Sequence, residues 1–345
     1  MRKKLRSLCF AYLAMASILS APIHPCTSFA DYSREPVYGL NFDSLDYDIR
    51  FRFYEGHGFG LLAFEFYQDG QWLRMAHFTT DGLHTAGLLL YPPLSVVRAQ
   101  SDSDVNIIET GSWIYELRSI EAILARVNQV RLHEDGVRSH HVFLGPREAF
   151  VCEATKDGNY VERSEAGGYL VTTNFELHKF RGQGPEKVYG VGDSRYRVAT
   201  RLIESARAAG TMDGDEGMRI LRGAAAEAGD FKTRCSMVFM PETLSLKVVF
   251  ARNFDREYVI SLKDRTVTAN WPEAQGKVAK IGKGGVYKAD LLSWENDDPS
   301  DDWNGERWVE TALPVLAAIA ACAALALAVI WARRRRGGAH GRVGS

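Results

Sequence analysis

The chain is short of several things, and each shortage narrows what it can be. Five cysteines and 11 prolines in 345 residues are too few for a disulfide-built mini-protein, and 31 glycines without a triplet period exclude a collagen-like rod. With 46% hydrophobic and 25% charged residues it is not a disordered chain either. No repeat of about 20–50 residues is present, which removes solenoids and propellers. No Gly-x-Ser-x-Gly elbow occurs, which counts against a serine hydrolase. The Gly-rich run Lys280–Gly285 lacks P-loop spacing and reads as a turn. His133, His140 and His141 lack metal-ligand spacing, and adjacent residues on a strand face opposite ways, so no metal or cofactor is expected. An excess of basic charge is missing as well. Of 42 basic residues, nine lie in residues 1–25 and 333–345, which carry no acids; the remaining 33 face 43 acidic residues, a net charge of −10. An acidic body argues against nucleic acid as a partner.

What is present begins with two terminal segments. Arg2, Lys3, Lys4 and Arg6 precede an apolar run from Leu8 to Ala21. A basic stretch, a short apolar run and small residues at its end read as a secretory signal peptide, followed by a short propeptide to residue 25. At the other end, 312–332 is an uncharged stretch (ALPVLAAIAACAALALAVIWA) flanked by Trp308 and Trp331 and followed by Arg333–Arg336. At about 1.5 Å per residue it matches one bilayer core, and the arginines place the tail at 333–345 in the cytoplasm. A plain anchor and a processed sorting tail share this pattern. Residues 293–311 carry a cluster of acids with Trp294, Trp303 and Trp308, and read as a solvated linker. The expectation is an exported protein, single-pass in the cell membrane, with residues 26–292 outside the cytoplasm.

Cys9 belongs to the signal and Cys322 to the span, leaving Cys26, Cys152 and Cys235 in the exported body. An odd count in an oxidising compartment points to one free thiol. Cys152 and Cys235 lie in strand-like runs and could pair or be buried separately. Cys26 sits just after the signal, where trimming could make it the first residue. There its own α-amine, with a pKa of about 7.7–8, can take the thiol proton without a separate histidine.

Strand-like runs follow at Val37–Phe42, Ile49–Tyr54, Leu61–Tyr67, Trp72–Phe78 and His84–Tyr91. Apolar residues recur at helical spacing over Glu116–Leu132. Strands return at His141–Ala154, Tyr160–Arg163 and Tyr169–Asn174, then two helices at Ser194–Ala209 and Asp215–Ala228. Strands close the body at Ser236–Met240, Leu246–Phe250 and Val259–Leu262. The order predicts an α+β layered domain of antiparallel sheets covered by helices.

Five stretches, in order, carry a resemblance. Cys26-Thr27-Ser28-Phe29-Ala30 and Gly39-Leu40-Asn41-Phe42-Asp43 come first. Asp81–Leu88, Val171-Thr172-Thr173-Asn174 and Ser194-Arg195-Tyr196-Arg197 follow. Together they resemble the choloylglycine hydrolase and penicillin V acylase family of N-terminal-nucleophile hydrolases, over roughly residues 26–265. The resemblance implies a four-layer αββα sandwich, plus the C-terminal transmembrane helix. It implies hydrolysis of linear amide C–N bonds with Cys26 as nucleophile and its amine as proton acceptor. Asp43 would orient that pair, Asn174 would donate its amide to the oxyanion, and Arg197 would stabilise the site, with Arg195 the competing assignment. Tyr91 matches the place where the penicillin acylase branch uses Tyr. The chain departs from the family at Leu40, where an arginine is usual. Arg34 and Arg252 are the cations that could replace it in space.

Three functions therefore stand as expectations: an amide hydrolase, an acyltransferase passing the acyl group to an amine, and a catalytically silent binding protein on the same scaffold. The apolar runs at Phe59–Phe66 and Leu88–Tyr91 would suit a small-molecule amide with an apolar acyl group. A homo-oligomer is compatible with the resemblance.

Overall fold

The computed structural model describes residues 26–56, 58–91, 97–135, 137–164, 166–227 and 231–296. The expected signal at 1–25, the uncharged stretch at 312–332 and the basic tail lie outside these residues. Among the described residues no helix is long and apolar enough to cross a membrane.

The strands in chain order are β1 (Cys26–Asp31), β2 (Val37–Ser44), β3 (Ile49–Gly56), β4 (Phe59–Gln68), β5 (Gln71–Thr79) and β6 (His84–Leu89). Then come β7 (Val105–Asn106), β8 (Leu132–His133), β9 (Ser139–Leu144), β10 (Ala149–Thr155), β11 (Gly158–Arg163) and β12 (Tyr169–Thr172). The last six are β13 (Lys232–Met240), β14 (Ser245–Phe250), β15 (Tyr258–Ser261), β16 (Thr266–Ala269), β17 (Val278–Lys280) and β18 (Val286–Tyr287). The helices are α1 (Ile114–Leu117), α2 (Ile120–Val127), α3 (Asp193–Ala209), α4 (Gly214–Gly223) and α5 (Lys288–Leu292). Two eight-stranded sheets result, ordered β12-β1-β2-β13-β14-β15-β16-β17 and β11-β10-β9-β6-β5-β4-β3-β18.

Strands β1 and β2 are buried at every position, because both faces of their sheet are covered. One face packs on the second sheet through Leu40, Phe42, Phe51, Phe64, Phe78 and Phe239. The other face carries Phe29, Val37 and Val171 against Ala199 and Ile203 of α3 and Leu221 of α4. The second sheet's outer face, with Leu61, Ala63 and Phe143, is covered by Trp113, Ile114, Ile120 and Ile123. The layers therefore run helix, sheet, sheet, helix. The close β1–β2 pairing needs Gly39: a Cβ there would lie 2.0 Å from the Phe29 ring that crosses it.

Some boundaries differ from the sequence reading. The helix expected over Glu116–Leu132 is broken at Arg118, which takes φ 50°, and Ser119 restarts it by accepting from the Ala122 amide at 3.1 Å. The run His141–Ala154 is a hairpin, β9 and β10, turned around Gly145. The acidic linker expected from 293 begins inside the fold. Glu295 accepts from the Tyr258 hydroxyl at 2.9 Å and from Asn253 Nδ2 at 3.0 Å, and its carbonyl accepts from Arg256. Cys152 and Cys235 are buried separately and unbridged.

Candidate active site

Cys26 begins β1, the second strand of its sheet, in register with Phe42 of β2. That register puts Asp43 beside the cysteine without a loop between them. Cys26 is fully buried, which pushes its thiol up to about 12; the charge of Asp43 adds to the rise, while the Asp43 backbone N–H and Arg195 oppose it. A neutral thiol is therefore the resting form, and a nearby proton acceptor is needed to make it nucleophilic.

Asn174 follows β12, the edge strand that pairs with β1. Its Oδ1 accepts from the Cys26 backbone N at 2.9 Å and from Arg195 Nη2 at 2.7 Å. Two donors on one atom fix which end of the amide is oxygen. Its Nδ2 donates to the Leu89 carbonyl at 2.7 Å, and its own carbonyl accepts from the Tyr91 amide at 2.9 Å. Asn174 thus ties the end of β6 to the start of β1. The amide nitrogen expected to face an oxyanion faces Leu89 in this structure, and the oxygen holds the Cys26 nitrogen.

Arg195 sits in the first turn of α3, aimed into the same spot. Its Nη1 donates to the Cys26 carbonyl at 3.0 Å, to Thr27 Oγ1 at 3.1 Å and to Asp43 Oδ2 at 2.9 Å. One guanidinium therefore touches Cys26, the carboxylate and Asn174 together. Gly192 at the helix start makes room: a Cβ there would lie 2.8 Å from both Arg195 Nη2 and Thr173 Oγ1, and its φ of 86° suits glycine. Asp43 is fully buried and accepts from Thr233 Oγ1 at 2.5 Å on its other oxygen. Burial raises its carboxyl to about 7 despite the opposing pull of Arg195 and Thr233.

The assignment of Arg197 is corrected. Its side chain turns outward, donating to the Val188 carbonyl at 2.7 Å and pairing with Asp193 at 3.2 Å. Arg195 is the arginine at the site. Positions two apart on a helix point about 200° apart, so only one of the pair can face inward. The substitutes for the missing family arginine are corrected too. Arg34 donates to the Gly210 carbonyl and Arg252 to that of Ala226, neither among the residues gathered around Cys26. Leu40 is buried in the core between the sheets, in register with Ser28 and Met237. The apolar run Phe59–Phe66 serves chiefly as core: Phe64 packs on Phe42 at 5.1 Å.

Tyr91 is placed at the site. Its hydroxyl is buried with no hydrogen-bond partner among the described residues. Burial raises its phenol, with the charge of a Cys26 thiolate adding and Arg195 opposing, which marks all three as neighbours. Thr27 and Thr233 were not anticipated. Thr27 stood inside the quoted Cys-Thr-Ser motif, whereas nothing in the sequence around Thr233 distinguishes it from an ordinary strand residue.

No family profile matches the sequence, and no curated protein is similar to it. Solved structures are. A mutant of the conjugated bile acid hydrolase of Clostridium perfringens aligns with a TM-score of 0.52 at 14% identity, over 74% of this chain and 100% of that one. Penicillin V acylase from Agrobacterium tumefaciens aligns at 0.50 and 11% identity, over 76% of this chain and 93% of that one. The chain shares their fold. The likeness extends across nearly the whole of each neighbour, so it covers the two-sheet sandwich rather than one motif of it.

Proposed function

We propose that this protein is an exported, membrane-tethered hydrolase of linear amide C–N bonds. Its nucleophile is Cys26, exposed as an N-terminal residue when residues 1–25 are removed. The observation that carries the reading is the convergence of Asn174, Arg195 and Asp43 on the backbone atoms and flank of Cys26, at the first position of β1. A core cysteine needs none of these groups, since a small apolar pocket satisfies it. Export and tethering rest on the segments at 1–25 and 312–332. The fold shared with two amide hydrolases supports the reaction class.

In this reading, removing the preceding segment converts the Cys26 nitrogen from a peptide N–H into an amine. Asn174 Oδ1 continues to accept from it, holding its lone pair toward the thiol. The amine takes the thiol proton and the thiolate attacks the substrate carbonyl carbon, forming a C–S bond and a tetrahedral oxyanion. The Tyr91 hydroxyl, which lacks a partner among the described residues, would donate to that oxyanion. The ammonium proton passes to the leaving nitrogen as the C–N bond breaks. Water then attacks the thioester, giving the acid and restoring the thiol. Arg195 and Asp43 keep the cysteine residue in one orientation throughout. Phe175, next to Asn174, packs edge-on against Phe180 and Tyr196, and Phe180 against Tyr189, which is 70% exposed. Phe175 and Phe180 are buried, and the exposed Tyr189 ring at their edge would suit an apolar acyl group.

The experiment is the N-terminal peptide mass of protein recovered from the membrane fraction, with a panel of acyl amides assayed before and after iodoacetamide. A chain starting at Cys26 whose amidase activity declines in step with Cys26 alkylation is the expected result. A mature chain starting at Pro22 or earlier would sink the proposal, because no free Cys26 amine would exist. Adding an amine acceptor separates hydrolysis from transfer: acid alone is expected as product.

A further inference from the structure

The segment that carries Asn174 leaves β12 and enters a 3-10 turn at Leu177–Phe180, with no sheet partner of its own. It is held from the second sheet by a buried carboxylate. Glu153 of β10 is fully buried and accepts four hydrogen bonds. One oxygen takes His140 Nδ1 at 3.1 Å and the Leu177 amide at 2.7 Å. The other takes His178 Nδ1 at 2.8 Å and the His178 amide at 3.2 Å. His140, on β9 and fully buried, places its second nitrogen 2.7 Å from the Thr173 carbonyl and 2.9 Å from Thr172 Oγ1. The chain is therefore gripped one residue before Asn174 by His140, and three and four residues after it by Glu153.

This grip costs more than it needs to if its only purpose is packing. Burial alone would drive the Glu153 carboxyl up; instead the hydrogen bonds from His140 and His178 hold it down to about 2, so it stays an anion in the core. A buried charge with every lone pair engaged is justified where geometry must be held closely. The geometry held here is that of Asn174, whose single oxygen meets both the Cys26 nitrogen and Arg195. We infer that Glu153, with His140 and His178, is a positioning unit for the nucleophile: it fixes Asn174 from both sides and through it the Cys26 amine.

The inference rests on the amidase reading of the Cys26 site, and its test is made on the full chain as the cell processes it. Glu153→Gln keeps the volume but turns one oxygen into an NH2 that faces two donors. The expected result is a fall in kcat of about 10²-fold with KM within about twofold, as a small displacement of a reacting group produces. The midpoint of the pH profile for Cys26 alkylation by iodoacetamide, read from the mass of the Cys26 peptide, should rise by about one pH unit. In an Asn174→Ala background, Glu153→Gln should add nothing to either readout. A folded Glu153→Gln protein with native kcat and native alkylation midpoint overturns the inference, and so does full additivity with Asn174→Ala. If Glu153→Gln does not fold, His178→Gln at the half-exposed end of the unit decides the matter: a fall in kcat of about fivefold or more supports the inference, and native values overturn it. Alkylation needs no amide substrate. A native protein that turns over no amide therefore defeats the amidase reading, while the alkylation comparison still decides this one.

Discussion

Replacing Arg195 by methionine tests the electrostatics of the site, and the structure supplies both the size and the pH dependence of the effect. The guanidinium side chain is 12% exposed and pairs at 2.9 Å with a carboxyl that is fully buried. Asp43 titrates at 3.8 in a free chain and at about 7 here. Its folded value is the higher one, so between those pH values the native state keeps a proton that the unfolded chain has released. The stability associated with Asp43 is complete below pH 3.8 and is lost as the pH rises to about 7. Arg195 is what stops the loss there, by pulling the folded value down. Without it Asp43 stays protonated to higher pH, and the loss continues at about 1.4 kcal/mol per pH unit. Below the native midpoint the carboxyl is neutral with or without Arg195, and the variant forfeits only hydrogen bonds to Cys26, Thr27 and Asn174, about 2–3 kcal/mol in all. At about pH 8.5 the deficit should therefore be roughly 2 kcal/mol larger than at about pH 6. Urea unfolding of both proteins, followed by tryptophan fluorescence across that range, measures it. A deficit that does not change with pH would refute the argument, because it would mean that Arg195 and Asp43 do not act as a charged pair. The same titration predicts an acid limb near pH 7 in the rate of the proposed amidase, where protonating Asp43 removes the negative charge beside Cys26 and Arg195.

Three further outcomes are expected. Arg197→Ala should leave the amidase rate within about threefold and cost under about 1 kcal/mol, since its Asp193 pair is at the surface; a loss comparable with that of Arg195→Ala would return the catalytic assignment to Arg197. Tyr91→Phe removes a hydroxyl without a partner among the described residues, so the fold should keep its stability or gain roughly 1 kcal/mol while kcat falls about 10²-fold. Unfolding and steady-state kinetics on one preparation check both halves, and an unchanged kcat would remove Tyr91 from the oxyanion role. Leu40→Arg restores the residue usual in the resembling family but buries a charge between the sheets, at a cost above about 3 kcal/mol; a variant that melts with the native protein and works faster would show that the site accepts a second cation at that position.

Much of the architecture was legible because periodicity records burial locally. The alternation of Ile49, Phe51 and Phe53 with arginines along β3, and the helical spacing of Ala199, Ile203 and Ala206 in α3, follow from which face each element buries. The break at Arg118 was not, because Leu117 and Ile120 keep helical spacing through it and only the Ser119 cap marks the restart. Cys26 and Asp43 were paired in the sequence by the family resemblance alone, and it is the β1–β2 register that brings them together.

By itself, then, the sequence determined the layered α+β fold of the body, the two compositionally distinct ends, and Cys26 as the cysteine worth watching. The tertiary structure decided everything that depends on direction. It turned Arg195 in and Arg197 out, although the two share one motif, because helical geometry sends them to opposite sides and only the packing of α3 on β1 says which side is inside. It oriented Asn174 with its oxygen toward the Cys26 nitrogen, through donors contributed by residues 148 and 21 positions away. It brought Glu153 and His140 from the opposite sheet to grip the segment around that asparagine. Local sequence encodes which side chains avoid water; which polar groups meet is set by how the layers stack, and that is known only when the whole chain has folded.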